Sequence, residues 1–261
     1  MNNLTVIIPT IDTELEIINT IDTLLLSTRL KPFEDYDILI VNNSQKILDD
    51  ISNLWPKLKI INQCTRVAAY KNFKCGIDSV DTEWAVFLAI GDQLYSGWLE
   101  SFNEFIRDNR HNSTPFLMGD IIIKYPKNSY LYSTKKYCNI NQLKEYISDP
   151  FGFGIYAIFN INKMKTLFVI ANYEDWSDYI ITLYIAKSNL FYYLPGLIRE
   201  YEIKGDTYKM STQNTFANPF RFLYFYLTEK KQLLNINIRF VLHTLKITII
   251  YNFNKLLKIK R

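Results

Sequence analysis

Glycine and proline are scarce, eight of each in 261 residues, which argues against a fibrous or glycine-rich all-β chain. Histidine is scarcer: His111 and His243 stand far apart, so no histidine-based metal site is expected. The three cysteines, Cys64, Cys75 and Cys138, are odd in number and lack paired spacing. They offer neither a disulfide framework nor a zinc signature, and read as reduced, partly buried thiols. No uncharged apolar run reaches the about 18 residues of a spanning helix. The opening MNNLTVIIPT lacks a basic segment followed by an apolar stretch, so the expectation is a chain that stays in the cytosol.

What is abundant is core-forming material. Hydrophobic residues make up 48% of the chain and aromatics 15%, enough for a sizeable buried core and too much for a disordered chain. The net charge of +4 conceals an asymmetry. From residue 215 onward nine Lys/Arg face a single acid, Glu229, giving +8, and the remainder carries −4. An acidic body with a basic, apolar tail points the tail at an anionic partner.

The first 90 residues alternate in a regular way. Leu4-Thr5-Val6-Ile7-Ile8 is a short apolar, β-branched run of the kind buried in parallel sheets. Asp12 or Thr13 can cap a helix with Leu15, Ile18, Ile21 and Leu25 on one face. Further strands are expected at 36–41, 58–61 and 84–88, with helices over 46–55 and 68–79 between them. This is the pattern of a parallel sheet with right-handed crossovers, in which ligands sit at the carboxyl ends of strands. The loops 9–13, 42–46 and 89–94 therefore matter most. Beyond Gly97 the alternation weakens: a helix is expected over 98–107, strands at 116–124 and 155–159, and a helix over 174–187. The aromatic-rich stretches 220–226 and Tyr192-Tyr193 match no RNA-binding module, so no nucleic-acid partner is expected.

The loop residues carry a resemblance. Ile8-Pro9-Thr10, Val41-Asn42-Asn43-Ser44, the stretch Arg66 to Asn72 with Lys71-Asn72 before Gly76-Ile77, Phe87-Leu88-Ala89-Ile90-Gly91-Asp92, and Tyr173-Glu174-Asp175-Trp176 follow one another in order. Together they resemble family 2 glycosyltransferases of the GT-A fold, over residues 4–207. The resemblance implies an α/β, GT-A (Rossmann-like) domain over 1–214. It would have a mostly parallel central sheet flanked by helices, followed by a helical basic tail over 215–261. Where the family carries an acidic DxD motif, this chain has Ala89 and Gly91 and keeps only Asp92. Asn42-Asn43 replaces an acidic pair, and Lys204 stands at the position of a family histidine.

The family's reaction implies roles for these residues. Asp175, then Glu174, is the candidate base that takes the proton of the acceptor hydroxyl, since a carboxylate at a helix start can be tuned for that work. Pro9, Thr10, Asp12, Asn42, Asn43 and Arg66 are candidates for holding the donor nucleotide, Asn42 being able to donate and accept toward a base edge. The departing diphosphate needs positive charge. Two sources stay open: a divalent cation, Mg²⁺ or Mn²⁺, held through Asp92, or Lys204 with Arg66 or Lys71 acting directly. No organic cofactor is implied.

In the tail, Leu234, Ile238, Val241, Leu242, Leu245 and Ile249 recur at helical spacing, flanked by aromatics and Lys/Arg. The pattern suits an amphipathic helix lying on anionic lipid, with packing onto the domain or a homodimer contact as alternatives. The resulting expectation is an inverting enzyme on the inner face of a bacterial cytoplasmic membrane. It would move a sugar from a nucleotide-sugar donor to a hydroxyl of a glycan or lipid-linked acceptor, in polysaccharide, lipopolysaccharide or capsule synthesis. The rivals are an inactive scaffold of the same fold, and a nucleotidyltransferase. The second is disfavoured because 9–12 is not the glycine-rich phosphate loop it needs.

Overall fold

The computed structural model describes residues 3–11, 13–28, 35–44, 46, 48–108, 114–124, 129–138, 142, 153–170 and 177–202. Asp12, Glu174, Asp175, Lys204 and the tail over 215–261 lie outside the described residues.

The chain opens with β1 (Leu4–Thr10), α1 (Glu14–Ser27), β2 (Asp37–Asn42), α2 (Asp49–Leu54), β3 (Lys59–Asn62), α3 (Ala69–Asp78) and β4 (Trp84–Phe87). It continues with β5 (Gln93–Leu94), α4 (Trp98–Arg107), β6 (Phe116–Lys124), β7 (Ser129–Tyr132), β8 (Ile158–Asn160), α5 (Ile161–Ile170), α6 (Ser177–Lys187) and β9 (Phe191–Glu202). All nine strands share one sheet, in the order β3-β2-β1-β4-β8-β6-β9-β5, with β7 paired to β6. β1, β2, β3 and β4 pair in parallel, as does β6 with β9, and these pairings carry most of the register. The expected α/β, mostly parallel sheet between helices is the observed fold.

Period-two alternation divides the core between the two faces of the sheet. Val6, Ile8, Ile38, Ile40 and Val86 meet Ile17, Ile21 and Leu24 of α1 and Trp98, Phe102 and Phe105 of α4. Ile7, Leu39, Val41 and Phe87 meet Tyr70 and Ile77 of α3, Met164 and Phe168 of α5, and Ile181 and Ile185 of α6. Full burial of each such aliphatic or aromatic side chain contributes about 1.5–3 kcal/mol. Gly76 sets how closely α3 lies on the sheet. A Cβ there would stand 2.7 Å from Ile7 Cγ2 and 3.2 Å from Val41 Cγ2. The close approach brings the first turn of α3 to the carboxyl ends of β1 and β2.

Several expectations shift. Thr13, rather than Asp12, is the N-cap of α1, and its N–H donates to Glu16 Oε2 at 3.1 Å. The buried face of α1 runs through Ile17, Thr20, Ile21 and Leu24, and Leu15 is 67% exposed. Apolar residues line several sides of this helix. Thr20 fixes its rotation by accepting a hydrogen bond from the Gly91 N–H at 3.2 Å. The segment 155–159 is not one strand: a 3₁₀ turn over Phe153–Tyr156 leads into β8. β9 went unforeseen because Pro195-Gly196 reads as a turn. The strand continues through it, with an irregular register opposite Met118–Asp120. All three cysteines are free, and burial pushes the Cys138 thiol up to about 12. Among the described residues, no helix is long and apolar enough to cross a membrane.

Candidate donor-binding cleft

A cleft of about 400 Å³ opens at the carboxyl ends of β1, β2 and β4. Pro9, Thr10 and Ile11 form its wall from β1, and Ala89 and Ile90 from the turn after β4. Asn43 contributes from the end of β2, and Arg66, Val67, Ala69, Asn72 and Phe73 from the entry into α3. This is the crevice where open α/β sheets take ligands. The Ala68 N-cap of α3 offers no side-chain hydrogen bond, and Ala69, the first residue of that helix, lines the cleft. Arg66 is exposed and, among the described residues, is the one charged residue lining the cleft.

The turn after β2 is held by amides. Asn42, 1% exposed, donates from Nδ2 to the Lys46 carbonyl at 2.7 Å and to Asn62 Oδ1 at 2.8 Å. Its Oδ1 accepts from the Ser44 N–H at 3.0 Å and from Ser44 Oγ at 2.7 Å. Both ends of Asn42 are thus engaged within the protein. Asn43, 3% exposed, meets the backbone of Val67 twice. Its Nδ2 donates to the Val67 carbonyl and its Oδ1 accepts from the Val67 N–H, both at 2.8 Å. This two-point contact copies the pairing of a neighbouring strand and fixes the residue that follows Arg66. Only an amide, with donor and acceptor side by side, can make it. Asn72 Nδ2 donates to the Val41 carbonyl at 3.2 Å, tying α3 to the same strand end.

The turn after β4 is held by a charge. Asp92 N–H donates to the Ala89 carbonyl at 3.0 Å, and Gly91 adopts φ 86°. This is the geometry of a tight turn with a left-handed third residue, which favours glycine. The Asp92 side chain turns away from the cleft into an ion pair with Arg199 of β9. Arg199 Nη1 donates to the Phe87 carbonyl at 2.6 Å and to the Tyr156 carbonyl at 3.4 Å. Its guanidinium carbon lies 4.4 Å from the centre of the Tyr156 ring. Asp92 is 2% exposed and Arg199 4%. The pair therefore links the β4–β5 turn to a strand 107 residues away.

Of the residues put forward from the sequence, Pro9, Thr10, Asn43 and Arg66 lie together on the cleft. Asn42 lies behind it, Lys71 is exposed on α3 outside its lining, and Asp92 is buried beyond the β4 turn. Asp12, Asp175, Glu174 and Lys204 lie outside the described residues. Sequence reasoning missed Val67, Phe73 and Arg199. Arg199 had a signal: a lone arginine after Leu197-Ile198 in an apolar run needs a buried partner. Among the described residues, no three His, Cys, Asp or Glu side chains gather where they could hold a metal ion.

Comparison with known proteins agrees with this architecture. The glycosyl transferase family 2 model matches residues 5–168, which include every residue lining the cleft. Among solved structures, S. aureus TarS superimposes with a TM-score of 0.59 at 14% identity, over 84% of this chain and 40% of that one. S. aureus TarS 1-349 in complex with UDP-GlcNAc gives a TM-score of 0.59 at 15% identity, over 78% of this chain and 59% of that one. The same fragment in complex with UDP gives 0.56 at 14% identity, over 84% and 65%. At such identities the likeness is one of fold, and this chain spans between 40% and 65% of those TarS chains. No curated protein matches the chain. The family match covers more than half of the residues and contains the whole cleft: the chain belongs to glycosyl transferase family 2.

Proposed function

We propose that this protein transfers a sugar from a nucleoside-diphosphate donor to a hydroxyl group of a glycan or lipid-linked acceptor. The observation that carries the proposal is the cleft at the ends of β1, β2 and β4, with Arg66 on its wall, inside the segment that matches the family. The cleft has the volume of a nucleotide subsite. The fold neighbours solved with UDP and UDP-GlcNAc support a uridine nucleotide as the first donor to try.

The chemistry asks little of the protein beyond placement and charge. Asp175, with Glu174 beside it, takes the proton from the acceptor hydroxyl, and that oxygen attacks the anomeric carbon from the face opposite the nucleotide. The bond to the diphosphate breaks, the nucleoside diphosphate leaves, and the configuration inverts. Arg66, and Lys204 beyond the described residues, supply positive charge toward the leaving group. The basic segment 215–261 brings the domain to anionic lipid at the cytoplasmic face of a membrane, where lipid-linked acceptors for surface polysaccharide are found.

The test is transfer itself. Purified protein is incubated with radiolabelled nucleotide sugars and a glycolipid extract, and the lipid phase is counted. Labelled product is expected with one donor, falling at least ~100-fold in Asp175→Asn through loss of general-base catalysis. If no donor is consumed with the acceptor extract present, the inactive scaffold becomes the better description.

A further inference from the structure

We infer that the cleft binds the donor diphosphate without a divalent cation, because the turn that would have to hold the metal has been converted into a structural clamp. The inference rests on the nucleotide-sugar reading above and concerns the same site.

A cation shared between protein and diphosphate needs at least one carboxylate oxygen facing the phosphates. Among the described residues, no Asp or Glu lines the cleft, and the one charged side chain that does is the cationic Arg66. At the β4 turn, Ala89 and Ile90 face the cleft and offer no side-chain oxygen. Gly91 has no side chain, and its φ of 86° is a conformation that disfavours a replacement residue there. Asp92 is the one acid of the turn. Its side chain is 3% exposed and its Oδ2 is taken by Arg199. To coordinate a metal it would have to leave a buried guanidinium that also holds the Phe87 and Tyr156 carbonyls. Breaking such a pair strands a buried charge. The described donor set therefore does not fit a hard divalent cation, while Arg66 brings a positive charge to the cleft.

Calorimetric titration of the full-length protein with UDP and with GDP, in EDTA and in Mn²⁺, tests this. The expected Kd in EDTA lies within ~2-fold of that in Mn²⁺, and Arg66→Ala weakens it at least ~10-fold through loss of a charge-assisted contact. A Kd at least ~10-fold tighter in Mn²⁺ than in EDTA would overturn the inference and leave the transferase reading intact. Unchanged UDP affinity in Arg66→Ala would overturn the assignment of the charge to that residue. If neither nucleotide binds with or without metal, the nucleotide-sugar reading falls and this inference with it.

Discussion

The turn after β2 and the turn after β4 flank the end of β1 on the carboxyl edge of the sheet, and they solve the same problem with different chemistry. Each must hold irregular backbone still next to an open cleft. After β2, Asn42 and Asn43 do so with neutral amides hydrogen-bonded to surrounding backbone and side chains. After β4, Asp92 does so with a full charge, paired to Arg199 across 107 residues. Amides can be buried locally at modest cost once both ends are bonded. A carboxylate cannot, and requires a cation brought from elsewhere in the fold. The first turn is thus held by Asn62 at the end of β3 and Val67 at the entry to α3. The second ties the parallel N-terminal half of the sheet to β9.

That contrast predicts unequal sensitivity. Arg199→Met should be the most damaging substitution, since it leaves Asp92 buried and unpaired, costing about 3–5 kcal/mol. Urea denaturation reads the loss directly. The double variant Asp92→Leu/Arg199→Met should recover much of it, because no charge is then stranded. A single-variant loss below about 1 kcal/mol, the worth of an exposed pair, would mean that the two groups are not buried together in solution.

Asn43→Asp probes the other turn. The carboxylate can still accept from the Val67 N–H but now faces the Val67 carbonyl with no donor between them. The new carboxylate sits at a 3% exposed position and brings no partner cation with it, so the expected cost is about 3 kcal/mol, at the lower end of the range for Arg199→Met. UDP affinity should fall as well, since Val67 follows Arg66 directly. A variant as stable as the parent and equally tight for UDP would show that the two-point contact does not position Arg66.

The same contrast explains what was legible in the sequence. β1, β2 and β4 were readable because each is built on a continuous apolar run, and the loops at their ends gave the position of the cleft. Pro9, Thr10 and Asn43 fall in loops that local pattern placed, and Arg66 came from the family resemblance. The duties of Asn43 and Asp92 could not be read in either way. Their partners, Val67 and Arg199, are 24 and 107 residues away, and nothing local names them. β5 has two residues and no periodicity, and β9 is disguised by Pro195-Gly196. The helical face of α1 was misjudged because apolar residues on several sides leave rotation to tertiary contacts. Here those include the hydrogen bond from Gly91 to Thr20.

The smallest effect should come from Gly91, where the β4 turn depends on backbone and not on charge. At φ 86°, an L-residue with a Cβ is strained, so Gly91→Ala should cost about 1–2 kcal/mol. Gly91→Asn should cost less, because asparagine enters the left-handed region more readily than alanine. The order Gly, Asn, Ala in urea midpoint is therefore the signature of backbone strain. A steric clash would instead rank the larger asparagine as the worse of the two. Neither variant removes a group that faces the cleft, so UDP affinity should change little in both. If Gly91→Asn proved less stable than Gly91→Ala, the turn would be limited by space rather than by conformation.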